Sequence, residues 1–143
     1  MKINFKKVRN VKTPEKAYKA AAYDLFIPED QRPFWLLAGD QVLIKLGIIL
    51  ELKKGYKAII LPRSGYALKN GLGFTNGVGL IDPDYRGELG AILRNYSKQD
   101  FYVCGGLKIP QLMIEKVDCV TLKEVDEINT TLRDTSGFGS SGK

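Results

Sequence analysis

Gln41-Val42-Leu43-Ile44-Lys45-Leu46-Gly47-Ile48-Ile49-Leu50-Glu51-Leu52 reads as two β-rich runs broken once, at Gly47. A glycine inside such a run marks a bend or bulge, because it packs no side chain and tolerates backbone kinks. Lys53-Lys54-Gly55 then offers hairpin-turn chemistry leading into a third run, Tyr56 to Leu61. The same grammar extends in both directions. Ile3 to Val8 alternates apolar and charged residues as a half-buried strand does. Ala22 to Ile27, Thr75 to Ile81, Leu89 to Asn95, Phe101 to Val103, Leu107 to Ile114 and Val117 to Leu122 are further strand candidates. Helical periodicity is nearly absent, and one short helix is predicted. Ser64 would cap it, Tyr66-Ala67-Leu68-Lys69 fills about a turn, and Asn70-Gly71 ends it with residues that tolerate positive φ. Many short strands separated by frequent turn signals predict an all-β protein, a β-sandwich or distorted β-barrel. Residues 1–126 form that domain, and 127–143 read as a flexible C-terminal arm leaving it.

Composition narrows the chemistry. The chain has 143 residues, enough for one domain with a real core, and its 44% hydrophobic and 27% charged content is ordinary for a globular protein. Its apolar runs are too short to span a bilayer, and Met1 to Asn10 lacks the apolar block of a signal peptide, so a cytoplasmic protein is expected. No histidine occurs. That excludes histidine acid–base chemistry, Ser-His-Asp triads and zinc sites with histidine ligands; two isolated cysteines cannot make a thiolate zinc site either. Any metal must be a hard ion held by oxygens. Cys104 and Cys119 lie on strand-like stretches and read as buried free thiols. The net charge of +6 suits a nucleotide or a nucleic acid, but the lysines are not interleaved with aromatics, so direct nucleic-acid binding is not expected.

Four stretches carry candidate chemistry. Pro62-Arg63-Ser64-Gly65, where a strand meets the short helix, is either a phosphate site or common turn-and-cap punctuation. Asn76 to Glu88 reads as two strands joined by a turn, Asp82-Pro83-Asp84, that carries carboxylates beside Tyr85 and Arg86. Gly77 and Gly79 weaken a strand unless something must approach its backbone closely. Gln111 stands in an apolar strand and is either an outward-facing residue or a ligand to something polar. The tail from Arg133 to Lys143 holds three glycines, four Ser/Thr hydroxyls, one aromatic ring and Arg133. Such a segment cannot offset its own ordering entropy by burial, yet its groups suit an anionic aromatic ligand.

Taken in order, Ala21-Ala22-Tyr23-Asp24-Leu25, Pro62-Arg63-Ser64-Gly65, Gly79 to Gly87, Gly106 to Leu112 and Arg133 to Gly142 resemble the five motifs of the trimeric dUTP diphosphatase (dUTPase) family. The span covers nearly the whole chain. Ala22, Pro110, Asp134, Ser136 and Ser141 depart from the usual motif residues, with Ser141 keeping the hydroxyl. The resemblance implies a jelly-roll-like fold and hydrolysis of dUTP to dUMP and pyrophosphate by water attack on the α-phosphorus, assisted by Mg²⁺. It implies Asp82 as the base that activates water, and Asp24 as the residue touching the metal's water shell. Arg63, Ser64, Gly65 and Gln111 match positions on the α- and β-phosphates. Asn76 and the backbone of Gly79, Leu80 and Ile81 match the uracil pocket, and Tyr85 matches the ring stacked on deoxyribose. Arg133, Phe138, Gly139, Ser140 and Ser141 match the arm that closes over the nucleotide. A homotrimer with shared active sites is implied as well. A related class, dCTP deaminase, needs a glutamate where Ile92 stands, and no carboxylate lies between Leu89 and Leu93. A dUTP-binding regulatory protein on the same scaffold is the other alternative.

Overall fold

A computed structural model describes residues 2–137. In chain order the elements are β1 (Asn4–Lys7), β2 (Tyr23–Asp24), β3 (Phe34–Leu36), β4 (Gln41–Lys45), β5 (Ile48–Glu51), β6 (Tyr56–Pro62), α1 (Ser64–Asn70), β7 (Leu72–Phe74), β8 (Gly79–Ile81), β9 (Gly90–Asn95), β10 (Phe101–Val103) and β11 (Pro110–Lys116). The strands form four antiparallel ladders, β1-β5, β10-β3, β2-β11-β6-β8 and β4-β9-β7. They do not close into one continuous barrel, so the fold is a distorted, jelly-roll-like all-β domain.

Period-two alternation builds the core. Ala58 and Ile60 of β6, Ala91 and Leu93 of β9 and Leu112 of β11 point inward, joined by Leu25, Ile27, Ile48, Leu89 and Ile109. The neighbouring residues Leu61, Gln111 and Met113 fall on the other face, half-buried. Asn95 follows Leu93 on the inward side and is fully buried. It donates from Nδ2 to the carbonyls of Leu36 (3.0 Å) and Gln99 (2.8 Å), and its Oδ1 accepts from Ser97 N and Oγ. A buried amide costs little only when its donors and acceptor are all engaged, as here.

Several local expectations hold. Gly47 breaks the first run as a bulge: Leu46 N donates to Leu89 O while Leu89 N donates to Ile48 O, leaving Gly47 as the extra residue at φ +71°. Gly71 caps α1 in the left-handed region at φ +65°, donating to Ala67 O.

Other expectations need correction. Ser64 is the first helical residue; the cap position is Arg63, with no side-chain capping bond, so α1 starts from strand geometry rather than a serine cap. Lys53-Lys54-Gly55 does turn the chain, with Gly55 at φ +84°, but β5 pairs with β1 and β6 with β11 and β8. The turn is therefore a corner between sheets, because turn residues dictate reversal and leave the partner strand open. Likewise β8 and β9 are not partners: β8 pairs with β6, whereas β9 pairs with β4 and β7. Of the run from Thr75 to Ile81 only the last part is strand, and Gly77, at φ +69°, serves the turn before it. Phe34–Leu36 and Leu72–Phe74 are strands that the sequence reading did not foresee. Val117 to Leu122 has β composition but pairs with no strand among the described residues, and it is exposed. Cys104 is half-buried, Cys119 is exposed, both are free, and neither lies in a strand. No helix of the described residues is long and apolar enough to cross a membrane.

Candidate active site

Strand register assembles the first half of the site. Gln111 of β11 lies directly opposite Asp24 of β2 on one side and Leu61 of β6 on the other. Directly paired residues share a face, so the three stand in one row, with Met113 and Arg63 two residues further along the same faces. They line a cleft of about 430 Å³ together with Ser64, Gly65 and the small residues of the preceding loop, Ala17 and Ala20 to Ala22.

The polar contacts in the cleft are specific. Arg63 Nε lies 3.1 Å from Asp24 Oδ1, and Arg63 Nη1 donates to Lys108 O at 3.1 Å. The Arg63 backbone is fixed as well, its N–H donating to Ile109 O at 2.9 Å. Gln111 Nε2 donates to Pro62 O at 3.2 Å, so the amide braces the turn from β6 into α1. Asp24, Arg63, Ser64, Gly65 and Gln111 are thus brought together as expected. The structure also brings in Lys108, whose ammonium lies 2.7 Å from Glu15 Oε2 and 3.9 Å from Asp24 Oδ2. Lys108 lies within the Gly106 to Leu112 motif but was given no role in the sequence, and Glu15 stands there as one more dispersed charge.

The second half of the site lies elsewhere. Gly79 pairs with Ile60, Leu80 with Ile59 and Ile81 with Ala58, so β8 runs along β6 away from Arg63. Asp82 follows β8 and is exposed. Five residues of extended chain separate Ala58 from Arg63, about 17 Å at 3.3–3.4 Å per residue. Within one chain, the Asp82 segment and the Arg63 cleft therefore sit toward opposite ends of β6.

The loop after β8 is held by its own polar groups. Arg86 Nη1 donates to the carbonyls of Pro83 (2.7 Å) and Tyr85 (3.0 Å), and Tyr85 Oη donates to Glu88 O at 3.2 Å. Glu88 Oε1 accepts from Gly47 N at 2.8 Å, tying the loop to the bulge. Gly87 leaves room for the Tyr85 ring, whose far end would have to swing aside to admit a Cβ at that position. Asn76 lies in the exposed turn before β8, and the Leu80 side chain is also exposed. Arg133 is exposed, its Nε donating to Ser136 O at 3.1 Å. Phe138, Gly139, Ser140 and Ser141 lie outside the described residues.

A family model for dUTPase matches residues 9–142, nearly the whole chain. The chain belongs to the dUTPase family. It is a dUTP diphosphatase, an enzyme that hydrolyses dUTP to dUMP. Among curated relatives, the deoxyuridine 5′-triphosphate nucleotidohydrolase of Trichodesmium erythraeum is 42% identical over 144 residues, covering 99% of both chains. Among solved structures, the dUTPase of Staphylococcus bacteriophage 80alpha, determined with dUpNHpp, superposes with a TM-score of 0.89 at 25% identity over 99% of both chains. A dUTPase variant from phage phi11 of S. aureus, described with a coordinated structural Mg(II) ion, superposes with a TM-score of 0.79 at 24% identity, covering 89% of this chain and 98% of that one. That last likeness bears on the fold alone.

Proposed function

We propose that this dUTPase acts as a homotrimer in which each active site joins the Arg63 cleft of one chain to the Asp82 segment of another. The supporting observation is the separation of about 17 Å along β6 between the two halves. No nucleotide α-phosphate can touch both Arg63 and Asp82 of the same chain across that distance. A closed C3 assembly solves this by repeating one heterologous contact three times. A second observation favours assembly: beyond β11 the chain exposes Val117, Val120, Leu122, Val125, Ile128 and Leu132, an apolar series that neighbouring subunits would cover.

In the joined site Arg63, Ser64, Gly65 and Gln111 hold the α- and β-phosphates, with the Arg63 fork supplying fixed charge. Asp82 takes a proton from water as the water oxygen attacks the α-phosphorus. The bond from that phosphorus to the bridging oxygen breaks, and pyrophosphate leaves. Asn76 and the backbone of Gly79 to Ile81 face uracil, where unpaired polar groups would penalise cytosine. Residues 1–126 are the body of the enzyme, and 127–143 the arm. Phe138 covers the base while Arg133, Gly139, Ser140 and Ser141 reach the terminal phosphates, excluding water.

The donor set suits Mg²⁺ only as a partner of the substrate. No group of three or more candidate metal-ligating side chains occurs among the described residues, and Asp24 already faces Arg63 and Lys108. A carboxylate has about four acceptor positions, so Asp24 can still accept from metal-bound water. The ion would neutralise phosphate charge when bound.

A pyrophosphate-release assay across dUTP, UTP, dCTP and dTTP tests this reading. The Tyr85 ring should exclude a 2′-hydroxyl, giving UTP a kcat/KM about 10²-fold or more below that of dUTP. Similar values for UTP and dUTP would remove Tyr85 as the sugar gate.

A further inference from the structure

Four charged side chains form an alternating row that runs out from the phosphate cleft, Arg63 and Asp24 lining it and Lys108 and Glu15 lying beyond them. The contacts are Glu15 Oε2 to Lys108 Nζ at 2.7 Å, Lys108 Nζ to Asp24 Oδ2 at 3.9 Å, and Asp24 Oδ1 to Arg63 Nε at 3.1 Å. The main chain fixes both ends of the row. Glu15 N donates to Asp24 O at 3.1 Å and Asp24 N to Glu15 O at 2.6 Å, an isolated bridge that pins the loop before β2 against it. Lys108 contributes its carbonyl too, accepting from Arg63 Nη1 at 3.1 Å.

The side chains keep 28% of their surface exposed at Asp24, 37% at Arg63 and Lys108, and 58% at Glu15. At such exposure ion pairs add little to folding and cost side-chain freedom. What the row does supply is orientation. Arg63 has five N–H donors, and two are spent on Asp24 and the Lys108 carbonyl, which fixes the plane of the fork and leaves three for an anion. Asp24 competes with phosphate for that same guanidinium. A second cation on Asp24 weakens the competition, and Lys108 is the one within reach.

We propose that Lys108 is a positioning residue which, shared with the competing carboxylate of Glu15, holds Asp24 and so frees Arg63 for the triphosphate. This rests on the assignment of Arg63 to the phosphates and of Asp24 to the cleft. The four charges sum to zero as they stand. Lys108→Met leaves a net −1 beside a polyanionic substrate and lets Asp24 draw on Arg63 alone. Glu15→Gln leaves a net +1 and releases the ammonium to close on Asp24 or on the entering phosphate, while its backbone bridge stays intact. The two substitutions should therefore act in opposite directions. Damage to the cleft's shape would instead weaken binding in both.

Calorimetric titration of the full-length enzyme with dUpNHpp, with and without Mg²⁺, reads this directly, alongside KM and kcat for dUTP. Lys108→Met should weaken dUpNHpp binding and raise KM about tenfold, with a smaller change in kcat. Lys108→Arg should restore most of the loss, and Glu15→Gln should tighten binding about two- to threefold at low salt, a gain that fades as salt rises. Weakening in both Lys108→Met and Glu15→Gln, or no change in either, would overturn the proposal. Arg63→Gln is the control: if it leaves dUpNHpp binding intact, the phosphate assignment itself falls, and this inference with it.

Discussion

Asp82→Asn should bind dUTP as the parent enzyme does while kcat falls by about 10²–10⁴. The substitution preserves shape and removes the proton acceptor. With no histidine in the chain, another side chain suited to abstract a proton from water must be a carboxylate or a shifted lysine or tyrosine. Asp82 is exposed, and among the described residues its carboxylate makes no ion pair or hydrogen bond, so the variant gives up no structural contact there. The loss should thus appear in single-turnover hydrolysis and not in dUpNHpp affinity. A variant turning over at close to the parental rate would eliminate Asp82 as the base and move the search to Asp84, on the same loop.

Deleting residues 133–143 should leave fold and assembly intact and lower kcat by about 10²-fold, with KM rising as well. The described part of the tail carries no core side chain: every residue from 117 to 136 is exposed. What the deletion removes is Arg133, Phe138 and the Ser140 and Ser141 hydroxyls, groups suited to stack on a base and bond to phosphate. Base–aromatic stacking is worth about 1–3 kcal/mol, so Phe138→Ala alone should be milder than the deletion. Stopped-flow turnover compared with circular dichroism on the same samples separates catalysis from folding. Normal turnover by the truncated enzyme would assign the tail no part in the reaction.

Local backbone chemistry was legible in the sequence, and partner choice was not. Gly47, Gly55 and Gly71 all adopt positive φ where a bend, a turn and a helix end were expected, because such positions are decided by a few neighbouring residues. The pairing of β5 with β1 rather than β6, and of β8 with β6 rather than β9, depends on residues dozens of positions away. Leu72–Phe74 is hidden because it is short and lies between a helix stop and a turn. Val117 to Leu122 has strand composition without a strand beside it, and composition cannot say whether a partner exists in the same chain. At the site the same division holds. Arg63 and Gln111 were readable as chemistry and Asp24 through the family resemblance, and the strand register explains their meeting. Lys108 and Glu15, 93 residues apart, become a pair only in three dimensions. Gly87 was part of a quoted motif, yet its reason, room for the Tyr85 ring, appears only with the ring in place.

Mixing two inactive variants tests the shared site most directly. Arg63→Gln chains keep Asp82, and Asp82→Asn chains keep Arg63. If Arg63 and Asp82 of one site come from different subunits, reassembling the two variants at equal ratio creates complete sites in about a quarter of positions. Neither variant alone should hydrolyse dUTP appreciably, and the mixture should regain up to about that fraction of parental activity, with native mass measurement verifying that subunits have exchanged. If exchange is complete and activity stays at the sum of the two parents, Arg63 and Asp82 do not meet across a subunit boundary, and the account of the site is wrong.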